Sequence, residues 1–269
     1  MKHRLTLLLL TILLITAPSL FAQYEETGGG AQSSLYDVPP RWLIDMPTAG
    51  TFPRAYFDIG FRFYPGGGAL ANADIGFFDR MMMGISYGGL GVISNHGADW
   101  NPNIEFSIRL RLIDEMEVFP AVSVGFTSQG FGPYNSELKR YAYKSRGFYA
   151  VASRSFFFYN WTSGWHGGVS YSMEYDGDND KSLDFFGGID LTFKYNLALM
   201  AEFDAALNDN KTGLADNFGG KGRGYLNMGI KWLFTENLEI ELLLKDLLVN
   251  RRESSTFTRG VRLVYIDRF

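Results

Sequence analysis

The chain contains no cysteine, which excludes a disulfide framework, thiolate catalysis and a lipidated N-terminal cysteine. Histidine is nearly as scarce, with three in 269 residues. His3 falls in the opening basic stretch, so only His96 and His166 are left for metal ligation or general-base work. Positive charge is in deficit, 25 Lys and Arg against 29 Asp and Glu, and a chain of that balance argues against a nucleic-acid partner. After the first two dozen residues no run approaches the ~18 apolar residues of a membrane helix. If this protein meets a membrane, it does so with strands.

What is present begins with "MKHRLTLLLLTILLITAPSLFAQ". Basic residues, an apolar run from Leu5 and a small residue at Ala22 predict a secretory signal peptide over residues 1–22, cleaved before Gln23. The run is at the short end for a membrane span and is broken by Ala17 and Pro18, which disfavours an anchor helix. Taking Lys2 and Arg4 from the 25 basic residues leaves 23 against 29 acidic, a formal charge of −6 on about 247 residues. Residues 23–52, with "TGGG" and "DVPPRW", read as an N-terminal extension, either a periplasmic stub or a plug inside a lumen.

Residues 53–269 divide into about twelve segments of roughly ten residues that alternate apolar and polar, the pattern of a membrane barrel. Ala55, Phe57, Ile59, Phe61 and Phe63 form one face against Arg54, Tyr56, Asp58, Arg62 and Tyr64. Near 104–113 the alternation is clearest, with Ile104, Phe106, Ile108, Leu110 and Leu112 opposing Glu105, Ser107, Arg109 and Arg111. The other segments lie near 69–78, 81–91, 118–128, 147–156, 164–174, 183–193, 197–207, 224–234, 238–247 and 257–269. Short connections at 79–80, 114–117, 194–196 and 235–237 alternate with longer ones, as periplasmic turns alternate with outer loops in bacterial barrels. The expected fold is therefore an all-β, antiparallel, up-and-down transmembrane barrel of about twelve strands in the outer membrane of a Gram-negative-type envelope, with outer-membrane lipids around it.

Alternation by itself does not say which face is inside, and a two-sheet sandwich is the main alternative. Size favours the barrel, because about twelve strands enclose more space than side chains fill. Aromatic residues fall at both ends of the apolar faces: Trp165, Phe193, Trp232, Phe234, Tyr265 and Phe269 beside the short turns, and Phe63, Tyr87, Phe126, Tyr171 and Phe185 opposite. Two such rings fit interfacial girdles. The chain ends on "GVRLVYIDRF". A last strand with Tyr265 and Phe269 resembles the signal by which barrel-assembly machinery recognises outer-membrane barrels. Val264 and Ile266 face the other way and are expected beneath a plug or loop.

The polar face places Arg62, Arg109, Arg111, His166, Glu202, Asp204 and Lys231 in the lumen as candidate ligand-binding residues, among further charges that include Arg54, Asp58, Asp74, Glu105, Glu174, Asp184, Asp190, Glu239, Glu241, Lys245 and Arg262. A lattice of ion pairs stiffening the wall competes with a substrate-contacting channel, since buried charges need partners in either case. His166 in "HGGVS" does not match the His-x-Ser spacing of outer-membrane phospholipases, so no enzyme is expected and no catalytic residue is assigned. "DGDNDK" lacks the sixth-position Gly and twelfth-position acid of a calcium loop, and reads as a solvated hairpin loop. "GGKGRG" neither follows a strand into a helix nor carries Lys-Ser/Thr, so no phosphate cradle, metal or other cofactor is expected. In "QGFGPYNSELKRYAYKSRGFY", Lys139, Arg140, Tyr141, Lys144 and Arg146 form a basic and aromatic extracellular loop, either a contact for acidic polysaccharide or an exposed loop kept soluble by its charges.

"LIDMPTAGTFPRAYFDIGFRFY", "QGFGPY", "HGGVSYSMEYD" and "KDLLVN" together resemble the YjbH-like family of bacterial outer-membrane barrels over roughly residues 43–269. The resemblance implies a non-enzymatic part in exopolysaccharide or capsule export or surface assembly, alongside export proteins. A general porin-like channel for small solutes is the alternative.

Overall fold

The computed structural model describes residues 39–95, 97–193, 196–214 and 218–269. The signal-peptide assignment, His96 and part of the 194–196 turn lie outside the described residues. Fifteen strands are formed: β1 (Tyr56–Tyr64), β2 (Gly68–Phe78), β3 (Met81–Leu90), β4 (Asp99–Trp100), β5 (Glu105–Ile113), β6 (Ala121–Thr127), β7 (Phe131–Asn135), β8 (Arg140–Tyr143), β9 (Gly147–Phe158), β10 (Trp161–Tyr171), β11 (Asp184–Phe193), β12 (Leu197–Asp204), β13 (Tyr225–Leu233), β14 (Leu238–Lys245) and β15 (Thr258–Arg268). Twelve of them, all but β4, β7 and β8, pair antiparallel in one ring. β1 closes it against β15, with Gly60 opposite Val264, and the Phe269 N–H donates to the Ala55 carbonyl at 3.0 Å.

The alternation in sequence is the reason for the ring's two surfaces. Ile59, Phe61, Ile85, Phe106, Leu110 and Leu242 stand exposed on the outside, Phe106 by 57% and Ile85 by 60%, while Asp58, Arg62, Arg109 and Glu241 on the alternate positions are buried within. Water would penalise so much exposed apolar area, and hydrocarbon does not. Seven to twelve residues per strand suit a tilted crossing of the bilayer. This is an outer-membrane barrel, and the sandwich is excluded by closure.

β1 begins and β15 ends at one end of the ring, which also carries the tight turns at 79–80 and 159–160, and the opposite end carries the long loops. Aromatic rings gather at both rims. Phe158 stacks on Trp161 at 3.9 Å and Phe57 on Phe269 at 4.8 Å near the turn end, and Tyr87 stacks on Trp100 at 5.5 Å near the loop end. The loop end also holds one tight connection, residues 65–67, where Gly66 (φ 80°) and Gly67 (φ 68°) take a backbone conformation that a side chain would strain.

Some boundaries differ from the sequence reading. β9 and β10 run on to a turn at 159–160, because Phe157, Phe158 and Trp161 still fit a rim. The connection expected at 114–117 extends through residue 120, leaving Val118 and Phe119 as exposed apolar residues of the turn. The segment near 197–207 ends as a strand at Asp204, and a 3₁₀ turn (Leu207–Asp209) follows Ala206 at φ 48°. The loop expected to be extracellular is not a solvated excursion. Its hairpin, β7 and β8, folds down into the barrel mouth, with Arg140, Tyr141 and Ala142 fully buried.

Candidate functional site: the occupied lumen

Twelve strands leave more space than wall side chains can fill, and residues 39–52 occupy it. They enter from the turn end, rise along 39–42, turn over at 43–46 and descend to β1. The finger is braced internally, since the Leu43 N–H donates to Met46 O at 3.0 Å and the Thr48 N–H to Arg41 O at 3.1 Å. The described part of the N-terminal extension, residues 39–52, lies inside the lumen. Leu43, Ile44, Met46 and Ala49 share an apolar cluster with wall residues Val151, Phe186, Met200 and Leu243. Lower down, Phe52 packs on Met82, Val264 and Ile266, which explains the two apolar residues on the inward face of the last strand.

Polar wall groups hold the finger's main chain. Arg109 donates to the carbonyls of Arg41 and Gly50, both at 2.7 Å, tying the two legs together, and to the Tyr149 hydroxyl at 2.9 Å. Ser123 Oγ donates to Ala49 O and the Ala49 N–H donates to Ser153 Oγ, each at 2.8 Å. At the apex, Glu202 accepts N–H bonds from Ile44, Asp45 and Met46 at 2.9 to 3.0 Å. The Asp45 carboxylate meets Arg62 at 2.6 Å and Lys245 at 2.5 Å. Arg62 and Arg262 stand directly opposite each other on neighbouring strands, an arrangement that repels unless something negative lies between them. The Ile44 carbonyl does so, accepting from both at 2.5 and 3.1 Å, and Glu241 pairs with Arg262 at 2.5 Å.

Above the apex the inward hairpin completes the closure. Arg140 pairs with Asp178 at 2.8 Å and Asp209 at 2.7 Å, and Lys144 with Asp178 at 2.7 Å. Asp178 in "DGDNDK" is thus buried in an ion-pair cluster, which corrects the reading of that stretch as solvated. Arg146 reaches Asp204 at 2.8 Å and Asp184 at 3.4 Å. Only Lys139 of the five loop candidates is exposed. Glu174, in the loop after β10, accepts from the main-chain N–H of Tyr141 at 3.1 Å and of Ser145 at 2.6 Å, and burial pushes its carboxyl up to about 7. Among the described residues the space left includes a cavity of about 30 Å³ between apex and hairpin and one of about 80 Å³ beside the finger, enough for water.

The candidates from sequence therefore separate. Arg62, Arg109 and Glu202 converge on the finger, and Asp204 on the loop hairpin. Lys231 lies in a wall lattice with Glu239 at 3.4 Å and Glu241 at 3.3 Å. Arg111 sits at the turn-end rim on Asp114, at 3.0 Å, and Arg54 and Glu174 lie outside the lumen strands. His166 does face inward: Nδ1 lies 2.7 Å from Ser153 Oγ and Nε2 2.9 Å from Asp190 Oδ1. That serine is occupied by the Ala49 N–H, so the three residues act as an anchor for the descending leg. Ser123 and Ser153 escaped the sequence reading. The signal was small polar residues at inward positions of "AVSVGFT" and "AVASRS", spaced by two. Tyr265 faces outward and donates to Asp267 at 2.7 Å, and Phe269 is exposed at the rim.

No protein-family model and no curated protein matches the chain. Solved structures similar to it include a KdgM porin, at 9% identity and TM-score 0.46 over 80% of this chain and 99% of that one. The NanC porin in a rhombohedral crystal form aligns at 10% identity and TM-score 0.44, covering 79% and 99%. The COG4313 outer membrane channel from Pseudomonas putida F1 aligns at 12% identity and TM-score 0.45, covering 86% and 100%. The barrel assignment rests on the strand register itself.

Proposed function

We propose that the protein is a gated outer-membrane channel for small solutes, held shut by its N-terminal finger. The observation that carries this is the wall around the finger: between two apolar patches it presents Arg62, Arg109 and Glu202, all bonded to a segment that is not a barrel strand, so that withdrawal of this segment, with displacement of the inward hairpin, leaves a largely polar, hydrated passage. Placing cysteines at Ala49 and Ser123, in a chain with no other cysteine, gives a reversible tether. Currents across planar bilayers are expected in the reduced state and not in the oxidised one. Equal currents in both states would place the conduction path elsewhere, and silence in both, with silence also in Asp45→Ala, would remove the channel reading.

The resemblance to YjbH-like barrels supports a second reading, exopolysaccharide export or surface assembly. The cavities of about 30 and 80 Å³ beside the finger and hairpin hold no sugar chain, so this role requires both segments to leave. Normal capsule after deletion of the gene would count against it. Tyr265 and Phe269 at the rim are proposed as the groups read by the barrel-assembly machinery, and no catalytic role is proposed.

A further inference from the structure

We infer that the wall around the finger's apex is a binding site for short acidic peptides, which the finger occupies as a built-in stand-in. The inference rests on the channel reading, because a free peptide must reach the lumen. Its basis is that one residue, Asp45, is read at two chemically distinct groups. Its N–H is bonded to Glu202 at 2.9 Å, and its carboxylate to Arg62 and Lys245 at 2.6 and 2.5 Å.

Beside Asp45, the two wall cations meet aromatic faces of the inward hairpin, Arg62 over Phe131 at 4.4 Å and Lys245 over Tyr143 at 4.2 Å, which supply no countercharge. Among the described residues no cation lies within ion-pair distance of Glu202, whose charge is met by three successive main-chain N–H groups and by Asn227 at 2.8 Å. Asp45 is the only carboxylate within that distance of Arg62 or Lys245 among the described residues. A fully buried carboxylate and two buried cations are costly to keep without partners. They are complementary to a ligand that offers N–H donors and a carboxylate side by side. Arg62 and Arg262 add donors for the two peptide carbonyls that precede the acidic residue, reaching Ile44 O and Leu43 O.

The same wall also has notches for the neighbouring side chains. A Cβ at Gly188 would come within 2.7 Å of Leu43 Cδ1 and 2.9 Å of Met46 Sδ, and one at Gly229 within 3.3 Å of Ile44 Cγ1. Apolar side chains flanking an acidic residue fit where these two strands lack side chains. A sugar carboxylate would satisfy the cations and leave Glu202 and the notches empty.

The test is calorimetric titration of acetyl-Ile-Asp-Met-amide into the full chain in detergent micelles, with Asp45→Ala loosening the resident finger. Binding at least tenfold tighter than acetyl-Ile-Asn-Met-amide is expected, with at least a tenfold loss on adding Glu202→Gln, and no measurable binding of glucuronate. If Asp45→Ala does not yield a heat-modifiable barrel, Leu43→Ala, which removes a finger side chain from its notch, carries the same titration. Equal binding of the Asp and Asn peptides, or glucuronate binding as tightly as the peptide, overturns the inference. So does absence of binding in a variant that conducts, an outcome that leaves the channel intact. Absence of both binding and current removes the two readings together.

Discussion

Replacing Arg109 with Met should release the finger while leaving the barrel standing. Arg109 makes two 2.7 Å bonds to carbonyls on opposite legs of the finger and lies 4.9 Å from the Trp42 ring. Gly50 O loses its donor, which costs about 1 to 3 kcal/mol, whereas Arg41 O keeps the bond from the Thr48 N–H and loses only one bond worth about 0.5 to 1.5 kcal/mol. Arg41 lines the adjoining 80 Å³ cavity, where water can relieve part of its loss, so the lower part of the range applies there and the middle of the range to Gly50. Adding the lost contact with Trp42, worth about 0.5 to 1 kcal/mol, gives roughly 3 kcal/mol against the closed state. No carboxylate lies within ion-pair distance of Arg109 among the described residues, so Met strands no buried acid. At about 1.4 kcal/mol per decade the open population rises roughly a hundredfold. Thr51→Cys supplies the reporter, since Thr51 is buried and its hydroxyl has no hydrogen-bond partner. When reclosing outpaces modification, the maleimide labelling rate follows the open population. Labelling in detergent should therefore accelerate about a hundredfold in the Arg109→Met background, with heat-modifiable migration unchanged. Identical labelling rates in the two backgrounds would refute Arg109 as the clamp.

Three other outcomes follow from the same geometry. Gly50→Ala would put a Cβ 2.4 Å from the Pro40 carbonyl oxygen, forcing the two legs apart, and should raise Thr51→Cys labelling at least tenfold. Ile85→Arg, on the outer face, should cost about 2 to 4 kcal/mol of stability in lipid vesicles if β3 crosses hydrocarbon there, measured by urea titration; a change under 1 kcal/mol would argue against lipid contact at that position. Glu174 sits at about 7, above its ordinary 4.5, so the folded state holds a proton that the unfolded state has released across that window. Docking of the inward hairpin is thus firmest below about pH 4.5 and loses up to about 3 kcal/mol as pH rises through 7. Hydrogen exchange at the Tyr141 and Ser145 amides, corrected for intrinsic rates, should quicken over this range and lose that dependence in Glu174→Gln. A flat profile in the unaltered protein would contradict it.

The strand pattern was legible because a period of two is a local property. Ile104 to Leu112 against Glu105 to Arg111 fixes two faces wherever the strand ends up, and twelve such segments with alternating connections define an up-and-down ring. The inward position of Arg62, Arg109 and Glu202 came from the same parity. Turn boundaries were less legible, because aromatic residues such as Phe158 and Trp161 suit both a strand interior and a membrane rim.

What no local pattern determined is the partner of each buried charge. Ring closure brings Arg62 opposite Arg262, 200 positions along the chain, and the insertion of residues 39–52 converts that repulsion into a seat for Asp45. The inward turn of β7 and β8 is of the same kind, since Arg140 finds its carboxylates at Asp178 and Asp209 in two other loops. Alternation along a strand settles which side chains face the lumen, because that depends only on neighbouring backbone geometry. Whether the lumen is filled, and by what, depends on contacts between segments far apart in sequence, and only the closed barrel decides it.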